Sequence, residues 1–156
     1  MGAIRRERLD ESEATTQFEL LGVTIARIGS HTIGHGVEAA SDYSLLHGEA
    51  IAIGMVTEAE LAERHGIAER GTRGTIESTL AAVNLPTRVP AELDHTRILA
   101  LMQSDKKRRG NSLEYALPKR IGEMAGESAG WAIPLPNESV LDAVRAVTSE
   151  SQLPNQ

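Results

Sequence analysis

Apolar residues recur three and four positions apart along much of the chain, the spacing that gives a helix one buried stripe. Residues 1–14 are polar and read as a lead-in. From Phe18 to Ile28 the chain turns apolar and partly β-branched, and Ala26 with the pattern downstream favours a helix over a strand. Ser30 is placed to cap a helix from His31 to Ala40, and Ser41 to Ser44 make a loop. A long helix is predicted from Leu46 to His65. Its apolar side carries Ile51, Ile53, Met55, Val56, Leu61 and Ala62, which leaves Glu58, Glu60 and Glu63 as an acidic outer side, and Gly66 ends it. Residues 68–83 form a further amphipathic helix with Ile76, Leu80 and Val83, closed by Asn84-Leu85-Pro86. Pro90 stands just before a helix from Ala91 to Gln103. Leu113 to Leu117 and Trp131 to Leu135 are candidate short strands, and Asn137 caps a last helix to Ser149. The expected fold is mainly α, a bundle-like helical domain with at most a small β-hairpin. Its expected divisions are a lead-in over 1–28, the helical domain over 29–149 and a tail over 150–156.

Composition narrows the functions open to such a domain. The chain has 156 residues, enough for one domain with its own core. Aromatic residues are only 3%, so Ala and aliphatic side chains must fill that core. A net charge of -6 argues against general nucleic-acid binding, which needs a basic face. Cysteine is absent, which excludes disulfides and thiolate metal sites and points to the cytoplasm. No apolar run nears the roughly 20 residues a membrane helix needs. The longest, Ala50 to Val56, runs into Glu58 and Glu60, so no membrane is expected as partner. Met1 to Glu13 is charged and has no apolar h-region, so no signal peptide is expected either.

Chemistry concentrates in two places. His31 and His35 are i,i+4 and project from one face of a helix, while His47 opens the next helix. Two helices side by side can bring these imidazoles together, and imidazole is the commonest metal ligand near neutral pH. The HExxH metalloprotease pattern is absent. Gly34, Gly36 and Gly54 each cost about 1 kcal/mol relative to Ala inside a helix. Close approach of a ligand or a second helix is the usual reason, and for Gly54 helix packing is the preferred one. The start of the His47 helix also offers free N–H groups and a positive dipole end to an anion. The second place is Asp105-Lys106-Lys107-Arg108-Arg109-Gly110, read as a basic loop beyond a helix end that is either simply solvated or an anion clamp. His65 and His95 have no such company and read as surface residues.

The two histidine blocks carry a resemblance. His31-Thr32-Ile33-Gly34-His35-Gly36-Val37-Glu38-Ala39, followed by Leu46-His47-Gly48-Glu49-Ala50-Ile51-Ala52-Ile53-Gly54-Met55, resembles the GHTxGHxxE and LHGExVxxGM blocks of the 3-dehydroquinate synthase family of sugar phosphate cyclases. Asp105-Lys106-Lys107-Arg108, and Ile121-Gly122-Glu123 after it, resemble that family's DKK segment and the hairpin beyond it. The likeness spans roughly Ser30 to Gly122. It implies the family's C-terminal helical domain and a shikimate-pathway reaction on the way to aromatic amino acids. There a small phosphorylated sugar acid, a heptulosonate phosphate, loses phosphate and closes to a ring. Zinc or cobalt and NAD serve that reaction, with NAD held by an N-terminal domain rather than by this chain. Carried over by position, His31 and His47 would be metal ligands, His35 would contact substrate near the departing phosphate, and Lys106 or Lys107 would bind the substrate. No cofactor-binding residue for NAD is assigned.

Two departures qualify the carry-over. The family's third metal ligand is a glutamate well upstream, and the chain is expected to begin after it, so Glu38, Glu49 or another chain is left to complete the site. Where the family has an Asn-x-Gly run before the first histidine, this chain has Ile28-Gly29. A nucleotide-binding partner chain or a homodimer is therefore expected. The competing expectations are a non-catalytic helical remnant acting as an interaction module, a sister cyclase making an inosose or valiolone ring, and half of a metal-dependent polyol dehydrogenase.

Overall fold

The computed structural model describes residues 32–108, 113–129 and 132–150. The expectations placed on the lead-in, on Phe18 to Ile28, on Ser30 and His31, and on the end of the tail fall outside them. The described chain folds into five helices and one small hairpin, as expected of a mainly α bundle: α1 (Thr32–Ala40), α2 (His47–Arg64), α3 (Thr72–Ala82), α4 (His95–Arg108), β1 (Pro118–Arg120), β2 (Glu123–Met124), a 3₁₀ turn at Glu127–Ala129, and α5 (Asn137–Val147). None of these helices is long and apolar enough to cross a membrane.

α2 is the axis of the bundle and packs against α1, α3, α5 and β1. Twelve of its 18 residues are buried. Ile51, Ile53, Val56 and Leu61 reach the same core as Ile33 and Val37 of α1, Ile76 and Leu80 of α3, Ile98 and Met102 of α4, and Val140, Val144 and Val147 of α5. Each such aliphatic side chain, taken from water to full burial, contributes about 1.5–3 kcal/mol. A helix with neighbours on several sides has little outer face, and this corrects one expectation. Glu58, placed by the sequence on an acidic outer side, is only 3% exposed. Glu60 and Glu63 are half-buried and turned to use: Glu63 accepts the backbone N–H of Arg73 at 2.7 Å, and Glu60 pairs with Arg64 and Arg73.

The glycines explain how α1 and α2 meet. A Cβ on Gly54 would lie 2.7 Å from the Gly34 nitrogen and 2.8 Å from its Cα. A Cβ on Gly34 would in turn lie 2.8 Å from Ile51 Cδ1. The helices therefore cross backbone against backbone, a separation no side chain permits. Gly36 instead seats the side chains of α4, where a Cβ would lie 2.5 Å from Met102 Cγ. Helix packing accounts for all three residues, the reading preferred for Gly54 from the start.

Several boundaries moved, each for a local reason. α3 begins at Thr72, after Gly71 in the left-handed region (φ 91°), rather than at 68. α4 begins at His95 and not after Pro90, because the Asp94 carboxylate takes the Thr96 N–H at 2.8 Å and the Thr96 hydroxyl at 2.6 Å. α4 also runs on to Arg108, so Asp105 to Arg108 form its last turn rather than a loop. Among the described residues, the candidate strands at Leu113–Leu117 and 131–135 contribute an isolated antiparallel bridge, Tyr115 to Ile133. The hairpin lies at 118–124, where the resemblance put it rather than between those two candidate strands, and turns through Gly122 (φ 78°). At α5 the residue before the first turn is Pro136, so Asn137 is inside the helix and not its cap. His95 is not a bare surface residue: its Nε2 lies 2.9 Å from the Thr148 hydroxyl and ties α4 to the end of α5.

Candidate functional site

The link between α1 and α2 sets the site. α1 ends in a wound turn in which the Ser41, Asp42 and Tyr43 N–H groups bond the carbonyls of Val37, Ala39 and Glu38. Asp42 (φ 51°) and Tyr43 (φ 60°) both take the left-handed conformation there, and Asp42 is held by Arg97 of α4 at 2.6 Å. The chain is thus reversed within six residues, and His47 opens α2 beside the ring of His35. Glu49 secures that opening: its carboxylate accepts the Leu46 N–H at 2.9 Å.

The two imidazole centroids stand 5.4 Å apart, with the ring planes at 42°. Glu38, one turn beyond His35 on the same face of α1, joins them, with its Oε2 3.2 Å from His47 Nδ1. One ligand atom from each of His35, Glu38 and His47 lies within 4.8 Å of the other two. The His47 side chain is 32% exposed and that of Glu38 19%, so the cluster sits at a wall open to solvent. A Cβ built on Gly48 meets nothing within 4 Å, which leaves clear space above the first turn of α2. Imidazole nitrogens at such a wall, with a carboxylate beside them to accept a ring N–H or to join the ion, suit zinc or cobalt. The residues fit a divalent ion on chemistry and on spacing.

Of the residues singled out by sequence, His35 and His47 are brought together, and His31 lies outside the described residues. Lys106 and Lys107 are in the last turn of α4, and α4 packs on the helix that carries His35. Lys106 comes one helical turn after Met102, the residue that presses on Gly36. Glu38 is the member the sequence reading left open, and its signal was the i,i+3 spacing from His35. An open cleft of about 490 Å³ adjoins α2 between Ser44, Leu45 and Glu49 and the Ala81–Pro86 stretch, and none of the three clustered side chains lines it.

The fold is shared with sugar phosphate cyclases. The structure is similar to 2-deoxy-scyllo-inosose synthase complexed with carbaglucose-6-phosphate, NAD+ and Co2+, with a TM-score of 0.67 and 24% identity over 76% of this chain and 32% of that one. It is also similar to 2-epi-5-epi-valiolone synthase from Streptomyces hygroscopicus subsp. jinggangensis 5008 with NAD+ and Zn2+ bound, with a TM-score of 0.63 and 22% identity over 76% of this chain and 31% of that one. Residues 28–108, over half of the chain, match the family model for the 3-dehydroquinate synthase C-terminal domain, and the chain belongs to that family. A 3-dehydroquinate synthase of Lactiplantibacillus plantarum is 41% identical over 93 residues, 60% of this chain and 26% of that protein. The chain thus spans about a quarter of the length of that relative and about a third of the solved structures.

Proposed function

We propose that residues 29–149 are the metal- and substrate-carrying half of a 3-dehydroquinate-synthase-type cyclase, working with an NAD-binding half supplied by further sequence or by another chain. The reaction would be loss of phosphate from a heptulosonate phosphate, followed by ring closure, in the cytoplasmic shikimate pathway. The observation that supports this most is the convergence of His35, Glu38 and His47 from two helices of the family's own domain. The 41% identity over 93 residues to a 3-dehydroquinate synthase supports the dehydroquinate branch.

His47, with His31 by position in the motif, would hold a divalent zinc or cobalt ion. Bound there, that ion supplies a Lewis-acid charge to substrate oxygens. His35 would direct an N–H at the departing phosphate and ease its negative charge. Lys106 and Lys107 would add positive charge as point donors to phosphate or carboxylate. The open first turn of α2 would offer further N–H groups to the same anion.

The test is reconstitution. The chain is mixed with the separately produced NAD-binding half of a 3-dehydroquinate synthase, NAD, zinc and 3-deoxy-arabino-heptulosonate 7-phosphate, and inorganic phosphate is measured. Release that falls about 100-fold in His35→Ala supports the reading. A zinc-loaded mixture that releases no phosphate sinks it, and leaves the non-catalytic interaction module standing.

A further inference from the structure

Glu38 belongs to the cluster but holds neither the ion nor the phosphate in the proposed function, and its carboxylate lies against the ring of a proposed metal ligand. It is on the His35 face of α1, mostly shielded from solvent, with Oε2 3.2 Å from His47 Nδ1. The nearby Glu49 carboxylate is engaged with the Leu46 N–H. An ionised carboxylate only accepts hydrogen bonds, so the proton in the Glu38–His47 contact belongs to Nδ1. A neutral imidazole carries one N–H. With it on Nδ1, the lone pair is on Nε2, the nitrogen whose chemistry then suits a cation. The same bond stops the ring turning about its side-chain axis, which otherwise costs entropy when an ion binds.

We propose, resting on the metal reading above, that Glu38 is the positioning residue of this site. Its carboxylate holds His47 as the Nδ1–H tautomer and aims Nε2 at the ion. The place of Glu38 in α1 does not depend on its side chain, because its backbone carbonyl accepts from Tyr43 N and from the Ser41 hydroxyl. Truncation therefore removes the ring contact and leaves the helix end intact, which a circular dichroism spectrum checks.

The experiment has two arms on the 156-residue chain. Nitrogen-15 NMR of metal-free protein at pH 8 reads the His47 tautomer. Nδ1–H is expected in the native chain, with a shift toward Nε2–H in Glu38→Ala. Zinc titration then reads affinity. Glu38→Ala should bind about 10–100-fold more weakly, and Glu38→Gln, whose amide oxygen still accepts, should recover most of that loss. Native His47 in the Nε2–H form overturns the proposal, as does a Glu38→Ala variant that binds zinc as tightly as the native chain. Glu38→Gln as weak as Glu38→Ala also overturns it, since the carboxylate would then be a direct ligand. An Nδ1–H tautomer that depends on Glu38 in a chain that binds no zinc would uphold the pairing and sink the metal reading instead.

Discussion

The first turn of α2 and its buried middle treat a titratable side chain in opposite ways. At its first residue, His47 is about a third exposed, meets the Glu38 carboxylate at 3.2 Å and faces a second imidazole. Eleven residues on, about 16 Å along the axis, Glu58 is 3% exposed, its Oε1 has no hydrogen-bond partner, and the buried Tyr115 hydroxyl also has none. Burial raises the Glu58 carboxyl well above its ordinary value. Burial first, and the Glu58 charge second, push the Tyr115 phenol up to about 12. The more perturbed group is thus in the middle, with no convergent donors and no open wall. Perturbation alone does not make a site; convergence with access does.

The largest effect tests what holds the polar end together. Gly54→Ala puts a methyl 2.7 Å from the Gly34 backbone, so α1 and α2 must part. A loss of about 3 kcal/mol is expected in urea denaturation, with zinc binding lost alongside it. Gly48→Ala, with nothing within 4 Å, is the control and should cost nothing or stabilise by about 0.5 kcal/mol. Equal costs for the two would remove the close crossing from the account.

The next effect tests the buried middle. The folded chain binds the Glu58 proton more tightly than the unfolded chain, so its stability is full below the ordinary carboxyl value of 4.5 and falls as pH rises from there toward the raised one. The slope in that window is about 1.4 kcal/mol per pH unit. Glu58→Met keeps the volume and removes the proton. It should be more stable than the native chain at pH 7, with the gain shrinking toward pH 4.5. A native chain whose denaturation midpoint does not fall from pH 5 to 7 relative to Glu58→Met would show that Glu58 finds a partner.

Those outcomes also bear on what the sequence could reveal. The histidine helices were legible in sequence because i,i+4 histidines, glycines that tolerate a close crossing and a clear loop all coincide between His31 and Arg64. Glu58 was not, because three glutamates two and three apart look like a wet face unless the neighbours on every side are known. The site was legible as paired imidazoles, but Glu38 joined it only through a turn whose two left-handed residues, Asp42 and Tyr43, carry no glycine to announce them. The start of α4 was misplaced because Pro90 drew the eye from Asp94-His95-Thr96, the capping sequence that decides it. A smaller effect checks this last point: Asp94→Ala should cost about 1 kcal/mol in urea denaturation, and no change would return the helix start to Pro90.

The account stands most directly on metal capture by the α1–α2 wall. Calorimetric zinc titration of the chelator-stripped chain should show one ion per chain, with affinity at least about 100-fold weaker in His47→Ala. A native chain that takes up no zinc, or a His47→Ala variant that binds it equally well, would contradict the account.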